Sequence, residues 1–308
     1  MTRPPPRSAR CGAADLAALR IGTRGSALAL AQARAVADAL PVAAELVTIT
    51  TAGDVDRARG DKSRWVSALE AALVAGEIDV AVHSAKDVPG ELAPGTAIVA
   101  APRRADPLDV LVGEPSLDDV REGARVGTSA LRRRAQLLAV RPDLEVAELR
   151  GNVDTRLAKR AAGEVDVLVL AAAGLERIGR RREAGRALTG DVFVPAPGQG
   201  TIAIQARAGT PAAEAAAAIS HARTLACLSA ERSATRELEA TCHTPVGIHA
   251  DGDTIRGFAG LPDGSAWVVD AVALGESDGD GEPGRTLARR MLAAGAADLL
   301  RDAEAMSA

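Results

Sequence analysis

The chain has very few aromatic residues. Its 308 residues include two Trp, two Phe and no Tyr. Proteins that bind single-stranded nucleic acid commonly stack the bases on aromatic rings, and this chain has too few rings for such a surface. Its net charge of −4 also excludes an overall basic field that would collect polyanions. We therefore expect no nucleic-acid partner.

Cysteine and long apolar runs are scarce as well. The three cysteines, Cys11, Cys227 and Cys242, lack the spacing of a disulfide scaffold or a structural zinc site, so we expect no bound metal. The N-terminus has no apolar run of the kind that a signal peptide needs, and no stretch is long and apolar enough to span a bilayer. These absences predict a cytoplasmic protein that does not bind membranes.

Lysine is rare, whereas arginine is abundant. Three of the 37 basic residues are lysines, which leaves 34 arginines. A GC-rich genome that favours arginine codons explains this bias equally well at most positions. The functional alternative is that some guanidinium groups hold carboxylates through two parallel hydrogen bonds. Position along the chain has to decide between the two explanations.

Short apolar runs alternate with helical patterns from residue 19 to about residue 175, which predicts α/β structure with mainly parallel sheets. A long helical region is predicted over 211–239. Three short strands and a final helix over 285–304 then predict a small α+β unit. The Pro- and Gly-rich stretch 194–200 suits neither a helix nor a central strand, and we interpret it as a crossing between two domains.

Three domains are therefore predicted, because the chain is longer than one hydrophobic core usually serves. Residues 1–17 are expected to form a disordered tail. Domain 1 (α/β) is predicted at residues 18–104 and 200–219, domain 2 (α/β) at residues 105–199, and domain 3 (α+β) at residues 220–308.

Four polar segments each follow a predicted strand. They lie at residues 23–26, 83–87, 127–134 and 150–156, and three of them open a predicted helix with Ser, Thr or Asn. Ligands of open α/β sheets bind at the carboxyl ends of strands, and helix N-termini attract anions there. Helix capping beside a solvated charge explains each segment equally well when it is taken alone. Four segments at equivalent places favour a shared cleft for a ligand that carries many carboxylates.

Asp87 differs from the other polar residues because it follows a buried-looking strand and stands two residues before Pro89. A carboxylate held in so tight a loop can accept hydrogen bonds from N–H groups and stabilise a cation. It can equally well pair with the neighbouring Lys86 and do nothing more. The residues alone leave both interpretations open.

Cys242 lies where a predicted helix gives way to a loop that contains Pro245. Such a thiol can be exposed and reactive. The commoner fate of a cysteine is burial as a small hydrophobe, which is our interpretation of Cys227 on an apolar helical face. His243 adjoins Cys242, but adjacent side chains rarely face each other, so a Cys–His nucleophilic pair is not expected.

These segments resemble the signatures of the porphobilinogen deaminase family. The resemblance runs from about Leu19 to the C-terminus and depends on the order and spacing of the motifs. The motifs lie at residues 20–30, 81–89, 127–133, 149–157, 172–177, 195–200, 231–232 and 238–242. The resemblance implies two domains like those of periplasmic binding proteins, with the active cleft between them. It also implies a third domain whose cysteine reaches into that cleft.

The resemblance implies a transferase of tetrapyrrole and haem biosynthesis. A dipyrromethane cofactor, attached through a thioether to Cys242, would prime the head-to-tail condensation of four molecules of porphobilinogen, with release of ammonia and hydroxymethylbilane. Asp87 would be the catalytic carboxylate, which stabilises positive charge on a pyrrole as ammonia leaves. We expect a monomer whose partner is this small-molecule substrate.

By the same resemblance, a set of polar side chains would bind the carboxylates of cofactor and substrate. The set consists of Arg24, Ser26, Ser84, Lys86, Thr128, Ser129, Arg132, Arg133, Arg150, Asn152, Arg156, Arg177 and Gln199. Each pyrrole brings two carboxylates, which explains why so many arginines are wanted in one cleft.

The segment after Asp54 departs from the family pattern. It is shorter and poorer in glycine than in many relatives, and it places Trp65 where Phe is usual. In the family this segment behaves as a lid, so Lys62 and Trp65 are predicted lid residues. Two other functions stay open: a binding module of the periplasmic type, and a family member whose short lid has cost it catalysis. The absent export signal and the cysteine-bearing third domain oppose the binding module.

Overall fold

A computed structural model of the protein describes residues 18–50, 63–241, 244–275 and 281–307, apart from the side chains of residues 63–65 and 307. The tail predicted for residues 1–17 lies outside the described residues, as do Lys62 and Cys242. The side chain of Trp65 is likewise outside them.

The described residues form 13 strands and nine α-helices. The strands are β1 (Leu19–Thr23), β2 (Ala44–Thr48), β3 (Val80–Ser84), β4 (Thr96–Ala100), β5 (Asp109–Val112), β6 (Arg125–Gly127), β7 (Glu145–Ala147), β8 (Val167–Ala171), β9 (Ala184–Ala187), β10 (Ile202–Arg207), β11 (Val246–Asp251), β12 (Thr254–Gly260) and β13 (Trp267–Ala273). The helices are α1 (Ala27–Ala39), α2 (Ser63–Ala75), α3 (Leu131–Val140), α4 (Val153–Ala161), α5 (Ala172–Arg177), α6 (Pro211–Ala217), α7 (Ala222–Glu237), α8 (Glu282–Ala293) and α9 (Ala296–Ser307). Two 3₁₀ turns are described: Ala85–Asp87 follows β3, and Arg181–Glu183 precedes β9.

Two of the sheets share one strand arrangement. The first sheet has the order β2-β1-β3-β10-β4 and the second has the order β7-β6-β8-β5-β9. In each sheet three neighbouring strands are parallel, and the fourth runs antiparallel to both of its neighbours. That fourth strand, β10 or β5, arrives from the other sheet. The chain therefore crosses between the two α/β units twice, at residues 101–108 and 188–201.

The third sheet is a three-stranded antiparallel meander in the order β11-β12-β13. Helices α7, α8 and α9 pack against it around Ile248, Ile255, Leu287 and Met291. The prediction of two α/β domains and a small α+β domain is confirmed, and the two larger sheets are mixed. The domain limits predicted from the sequence fall between strands of different sheets and stay predictions.

The cores are built from aliphatic side chains, as the scarcity of aromatics requires. One of the two Phe residues, Phe258 of β12, is fully buried and packs against Ala135 of α3 and Val194 of the second crossing. This apolar contact joins the third sheet to the second α/β unit. Burial of a Phe side chain contributes about 1.5–3 kcal/mol, so the contact is a substantial part of that interface.

The sequence patterns predict no strand at the positions of β4, β9 or β10. They also predict one helix in each of two regions where the structure has two helices. The region 211–239 is two helices, because the chain turns at residues 218–221 and His221 caps α7 by accepting the N–H of Thr224 at 3.3 Å. The final helix is divided at Gly295, whose φ of 99° lies in the left-handed region and ends α8. Both breaks are local turns that an alanine-rich pattern does not show.

Gly284 sets the distance between α7 and α8. A Cβ at this position would overlap the carbonyl oxygen of Ala230, so the two helix backbones are in direct contact. We predict that Gly284→Ala lowers the free energy of unfolding by about 1–3 kcal/mol, because the helices would have to move apart. Chemical denaturation of the purified variant measures this change.

The matched control is Gly174→Ala in α5, where a Cβ would meet Val153 Cγ2 at 3.9 Å. This substitution should leave the free energy of unfolding unchanged or raise it, because alanine favours helix. Equal losses in both variants would contradict the close contact of α7 with α8.

Candidate functional site

The polar segments that follow β1 and β3 lie side by side. These two strands are parallel neighbours, so their carboxyl ends meet at one edge of the first sheet. Arg24 and Ser26 follow β1, whereas Ser84 ends β3, and Lys86 and Asp87 form part of the 3₁₀ turn after it. The first sheet therefore brings together five of the predicted site residues.

Four of these residues, Arg24, Ser26, Ser84 and Asp87, line a cavity of about 70 Å³. Gln32 and His83 complete its polar wall, and apolar side chains of α1, α2 and β3 line the rest. The cavity is therefore a small polar recess, with one carboxylate and one guanidinium group, at the carboxyl edge of the first sheet.

Gln32 is not among the residues predicted from the sequence, and His83 is placed there in the polar segment 83–87 without a role of its own. The Gln32 side chain is 2% exposed and exchanges two hydrogen bonds with Ser84 Oγ, at 2.9 and 3.1 Å. His83 Nε2 lies 3.1 Å from Gln205 Oε1, and burial lowers the pKa of His83 to about 4, so its ring is neutral at pH 7. Gln32 has no distinct signal in the sequence, because the same helix also contains the polar Arg34 and Asp38.

Three of the predicted ligand residues cap local structure. Ser26 Oγ accepts the N–H of Ala29 at 3.3 Å, and Thr128 Oγ1 accepts the N–H of Ala130 at 3.2 Å. Asn152 Oδ1 accepts the N–H of Thr155 at 2.8 Å. Capping uses an oxygen lone pair, so both hydroxyl groups and the Asn152 amide keep N–H or O–H donors for an anion.

The segments after β6 and β7 form the corresponding edge of the second sheet, because these strands are also parallel neighbours. Ser129 follows β6 and Arg150 follows β7, and both are exposed. Arg150 Nε donates to Glu148 Oε1 at 2.6 Å. Arg156, on the first turns of α4, donates from Nη2 to Ser129 Oγ at 3.0 Å. The second edge thus also collects hydrogen-bond donors.

The charge of Arg156, on the second edge, interacts with that of Asp87, on the first. Burial lowers the pKa of Arg156 to about 10, nearby Arg133 adds to that effect, and Asp87 opposes it. The charges of Asp87, on the first edge, and Arg156, on the second, therefore act on each other across one cleft. The Nε atom of Arg156 is buried and has no hydrogen-bond partner among the described residues. The guanidinium keeps its charge at neutral pH.

Arg132 and Arg133, at the start of α3, are 5% and 6% exposed, and both bind Asp109. Arg132 Nη2 reaches Oδ2, and Arg133 Nη2 reaches Oδ1, each at 2.8 Å. Burial by itself raises the pKa of Asp109, but the two guanidinium groups outweigh it and hold that pKa well below its usual range. The structure gives these arginines a protein carboxylate as partner, and their contact with ligand carboxylates stays a prediction.

Gln199, in the second crossing, belongs to the same network. Its Nε2 donates to Asp109 Oδ1 at 2.8 Å, and its Oε1 lies 3.5 Å from Lys86 Nζ. Arg177 Nη2 donates to the carbonyl oxygen of Gly200 at 2.6 Å. These predicted ligand residues therefore also tie the second crossing to both sheets.

Glu231 of α7 connects the two crossings with domain 3. Its buried carboxylate accepts from Arg104 Nη1 at 2.6 Å, from the N–H of Gly198 at 2.6 Å and from the N–H of Ala250 at 2.8 Å. His249 Nδ1 lies 3.4 Å from Oε1 without the alignment of a hydrogen bond. Burial alone raises the pKa of Glu231, but Arg104 and the neighbouring His249 together outweigh it, so the pKa lies below its usual value.

Hydrogen bonds join the described residues on either side of Cys242. Beyond α7, Glu239 has a left-handed backbone with φ of 52°. Thr241 N–H donates to Thr244 Oγ1 at 2.9 Å, and Thr244 Oγ1 donates to Thr241 O at 2.9 Å. Helix α7 thus leads within a few residues to the predicted attachment position.

Across the described ranges, no helix has the length and apolar character to cross a membrane. Within those same ranges, no three His, Cys, Asp or Glu side chains are placed to hold a metal ion together.

Two protein-family models match the chain. The model described as "Porphobilinogen deaminase, dipyromethane cofactor binding domain" matches residues 19–215. The model described as "Porphobilinogen deaminase, C-terminal domain" matches residues 225–293. Together they span both α/β units and most of the third domain.

Two relatives and one solved structure illustrate the similarity. The porphobilinogen deaminase of Roseiflexus castenholzii is 44% identical over 299 residues, which cover 92% of this chain and 98% of the relative. That of Deinococcus deserti is 42% identical over 302 residues, which cover 91% and 97%. A periplasmic substrate-binding protein of an ABC transporter from Coxiella burnetii aligns at 14% identity with a TM-score of 0.40, over 65% of this chain and 91% of that one.

We predict that Asp109→Asn lowers the free energy of unfolding at pH 7 by about 3–5 kcal/mol, because two buried guanidinium groups lose their anion. The folded pKa of Asp109 lies below its unfolded value of about 3.9. Its stabilisation is therefore present above the unfolded pKa and is lost as pH falls through the folded pKa. Denaturation across a pH series should show a constant difference from pH 7 to about pH 5, and a shrinking one below about pH 4.

Asp143→Asn serves as the control, because Asp143 pairs with Arg141 near the surface and should contribute no more than about 1 kcal/mol. A difference between Asp109→Asn and the parent that stayed constant down to the lowest pH would contradict the assignment of the charge to Asp109.

Proposed function

We infer the reaction of this protein from its family, because the chain belongs to the porphobilinogen deaminase family. It is a transferase with a dipyrromethane cofactor, and it acts on a small-molecule substrate. We propose that it carries out the hydroxymethylbilane synthase reaction, which joins four porphobilinogen molecules head to tail and releases ammonia. We also propose that it works as a cytoplasmic monomer.

One observation carries the assignment of the site. Asp87 lines the cavity at the first sheet edge, and Arg156 lies across the cleft with a buried Nε that no described residue binds. Such a pair suits a ligand whose rings present N–H groups on one side and carboxylates on the other. A carboxylate accepts from the N–H groups, and a guanidinium binds the carboxylates.

The described residues fit the cofactor. Arg156, with Ser129 beside it, and the exposed Arg150 would bind the carboxylates of its pyrroles, and Cys242 would hold it through a thioether. When bound, the dipyrromethane supplies the pyrrole carbon to which the first substrate molecule is joined. The buried Nε of Arg156 offers a directed N–H for one of its carboxylates.

Asp87 would bind the pyrrole N–H of the incoming porphobilinogen. Departure of ammonia breaks the bond between the aminomethyl carbon and its nitrogen and leaves positive charge on the pyrrole. A fixed carboxylate beside the ring nitrogen stabilises that cation more than the neutral substrate, and this difference lowers the barrier. The proton released when the new carbon–carbon bond forms can be taken up by the same carboxylate.

The remaining side chains are assigned by their place in the cleft. Those of the first edge would bind the acetate and propionate groups of porphobilinogen, and they are Arg24, Ser26, Ser84 and Lys86. Those of the second edge and of the crossing would bind other carboxylates of the growing chain, and they are Thr128, Arg132, Arg133, Asn152, Arg177 and Gln199. Arg132 and Arg133 already bind Asp109, so they would use N–H groups that are not engaged there.

We predict that Asp87→Asn, which keeps the size and one acceptor oxygen but removes the charge, lowers kcat for bilane release by at least about 100-fold. The cofactor mass and the thermal unfolding temperature should not change. Asp79→Asn is the control, because Asp79 pairs with Arg20 and does not line the cavity. If Asp87→Asn released bilane at the parental rate, the catalytic assignment would be rejected.

We predict that the intact protein is heavier than its sequence by two pyrrole units, and that Cys242→Ser has the plain sequence mass, because no thioether can form. Cys227→Ser is the matched control on α7, where the thiol is buried in the core of domain 3, and it should keep the added mass. Mass spectrometry of the intact chains decides this. A Cys242→Ser protein that carried the added mass would place the anchor at another residue.

A further inference from the structure

We propose that Arg232 is a positioning residue for Asp87, and that it acts through the loop that follows the carboxylate. The proposal rests on the function proposed above, because it concerns the geometry of the same site. Arg232 is not among the residues that line the cavity. Its effect on the reaction would therefore come from where it holds Asp87.

Arg232 binds three successive carbonyl groups. Its Nη1 donates to Val88 O at 3.3 Å, and its Nη2 donates to Pro89 O at 2.8 Å and to Gly90 O at 2.9 Å. Three consecutive carbonyl oxygens reach one planar guanidinium because the loop curves around it. A lysine ammonium is a point charge and lacks the fork geometry that this arrangement uses.

The loop has few other hydrogen bonds, and its other restraint is the packing of the buried Val88 against Leu228 of α7. Asp87 ends the 3₁₀ turn, in which the N–H of Val88 bonds to Ala85 O at 3.1 Å. Pro89 has no N–H to donate. In the described chain, the N–H groups of residues 90–92 make no hydrogen bond to backbone or side chain. The contacts with Arg232 are therefore the main hydrogen bonds that fix the chain directly after Asp87.

The helix that carries Arg232 is itself held firmly. The adjacent Glu231 is fully buried and accepts hydrogen bonds from both crossings, and the neighbouring Ala230 touches Gly284 of α8. Burial lowers the pKa of Arg232 to about 10, with Arg236 adding to the effect, so the guanidinium is charged at neutral pH. Arg232 thus offers a rigid, charged fork to the loop.

One helix therefore governs two parts of the site. The middle of α7 holds the loop behind Asp87, and the chain beyond its end at Glu237 leads to Cys242. The position of the carboxylate relative to the cofactor anchor consequently depends on α7. A displacement of about 1 Å in an active site can cost about 100-fold in rate, so loss of the Arg232 contacts should affect kcat.

The test uses the full-length, cofactor-loaded protein with Arg232→Ala and Arg232→Lys. We expect kcat for bilane release to fall by about 10- to 100-fold in both, while KM changes by less than about threefold and the cofactor mass is retained. Guanidinium ion at low millimolar concentration should restore part of the lost kcat in Arg232→Ala and have no such effect on the parent. A purely structural role would not give this rescue.

Arg223→Ala is the matched control, because Arg223 lies on the same helix, is exposed and pairs with the exposed Asp253. It should keep the parental kcat. A parental kcat in Arg232→Lys would overturn the proposal even if Arg232→Ala failed to fold. Loss of cofactor mass together with kcat, or a loss that guanidinium does not relieve, would also overturn it. A parent protein without cofactor or bilane release would instead reject the proposed function.

Discussion

The carboxylate of Glu231 has no exposed surface, and N–H donors from three separate parts of the chain surround it. Removing one partner of a buried ion pair commonly lowers the free energy of unfolding by about 3–5 kcal/mol. Any arrangement of the chain that moved these donors away from the carboxylate would therefore be strongly destabilised. Arg104 belongs to the first crossing, Gly198 to the second and Ala250 to the third sheet. The close approach at Gly198 leaves no room for a side chain, because a Cβ there would meet Ala85 at 2.8 Å. The relative placement of all three sheets thus depends on satisfying one buried charge.

A second buried carboxylate, Asp109, also binds donors from separate parts of the chain, and it lies nearer the cleft. It gathers Arg132 and Arg133 from α3 and Gln199 from the second crossing. Gln199 in turn contacts Lys86, next to Asp87, so the network reaches the candidate site itself. A buried network of paired charges therefore supports the exposed donors of the cleft. Such preorganisation matters for a reaction in which a cation develops, because fixed groups need no rearrangement when the charge appears.

The sequence predicted the features that are local and missed those that depend on distant partners. Polar segments at strand ends located both edges of the cleft, since strand and helix starts leave local signals. Strands β5 and β10 each follow a crossing and pair antiparallel with strands that are distant in sequence, and no nearby pattern indicates such a pairing. In the sequence Asp109 is a polar residue at the start of a strand, and its burial depends on Arg132, Arg133 and Gln199, all more than 20 positions away. Gln32 is similar, because its partner Ser84 lies 52 residues further on.

In the folded chain, several arginines make contacts that a lysine could not make. Arg132 and Arg133 neutralise a buried carboxylate from two directions, and a planar fork with delocalised charge is easier to bury than an ammonium. Arg232 spans three carbonyl oxygens, for which a flexible ammonium lacks the geometry. Arg156 keeps a directed, buried N–H at the cleft. A codon bias can explain why arginine is common throughout the chain. The binding partner of each guanidinium group distinguishes a structural arginine from one that can bind a ligand. The positions whose forks are filled by protein groups shape the cleft, and those with donors left over are the ones that we propose bind carboxylates within it.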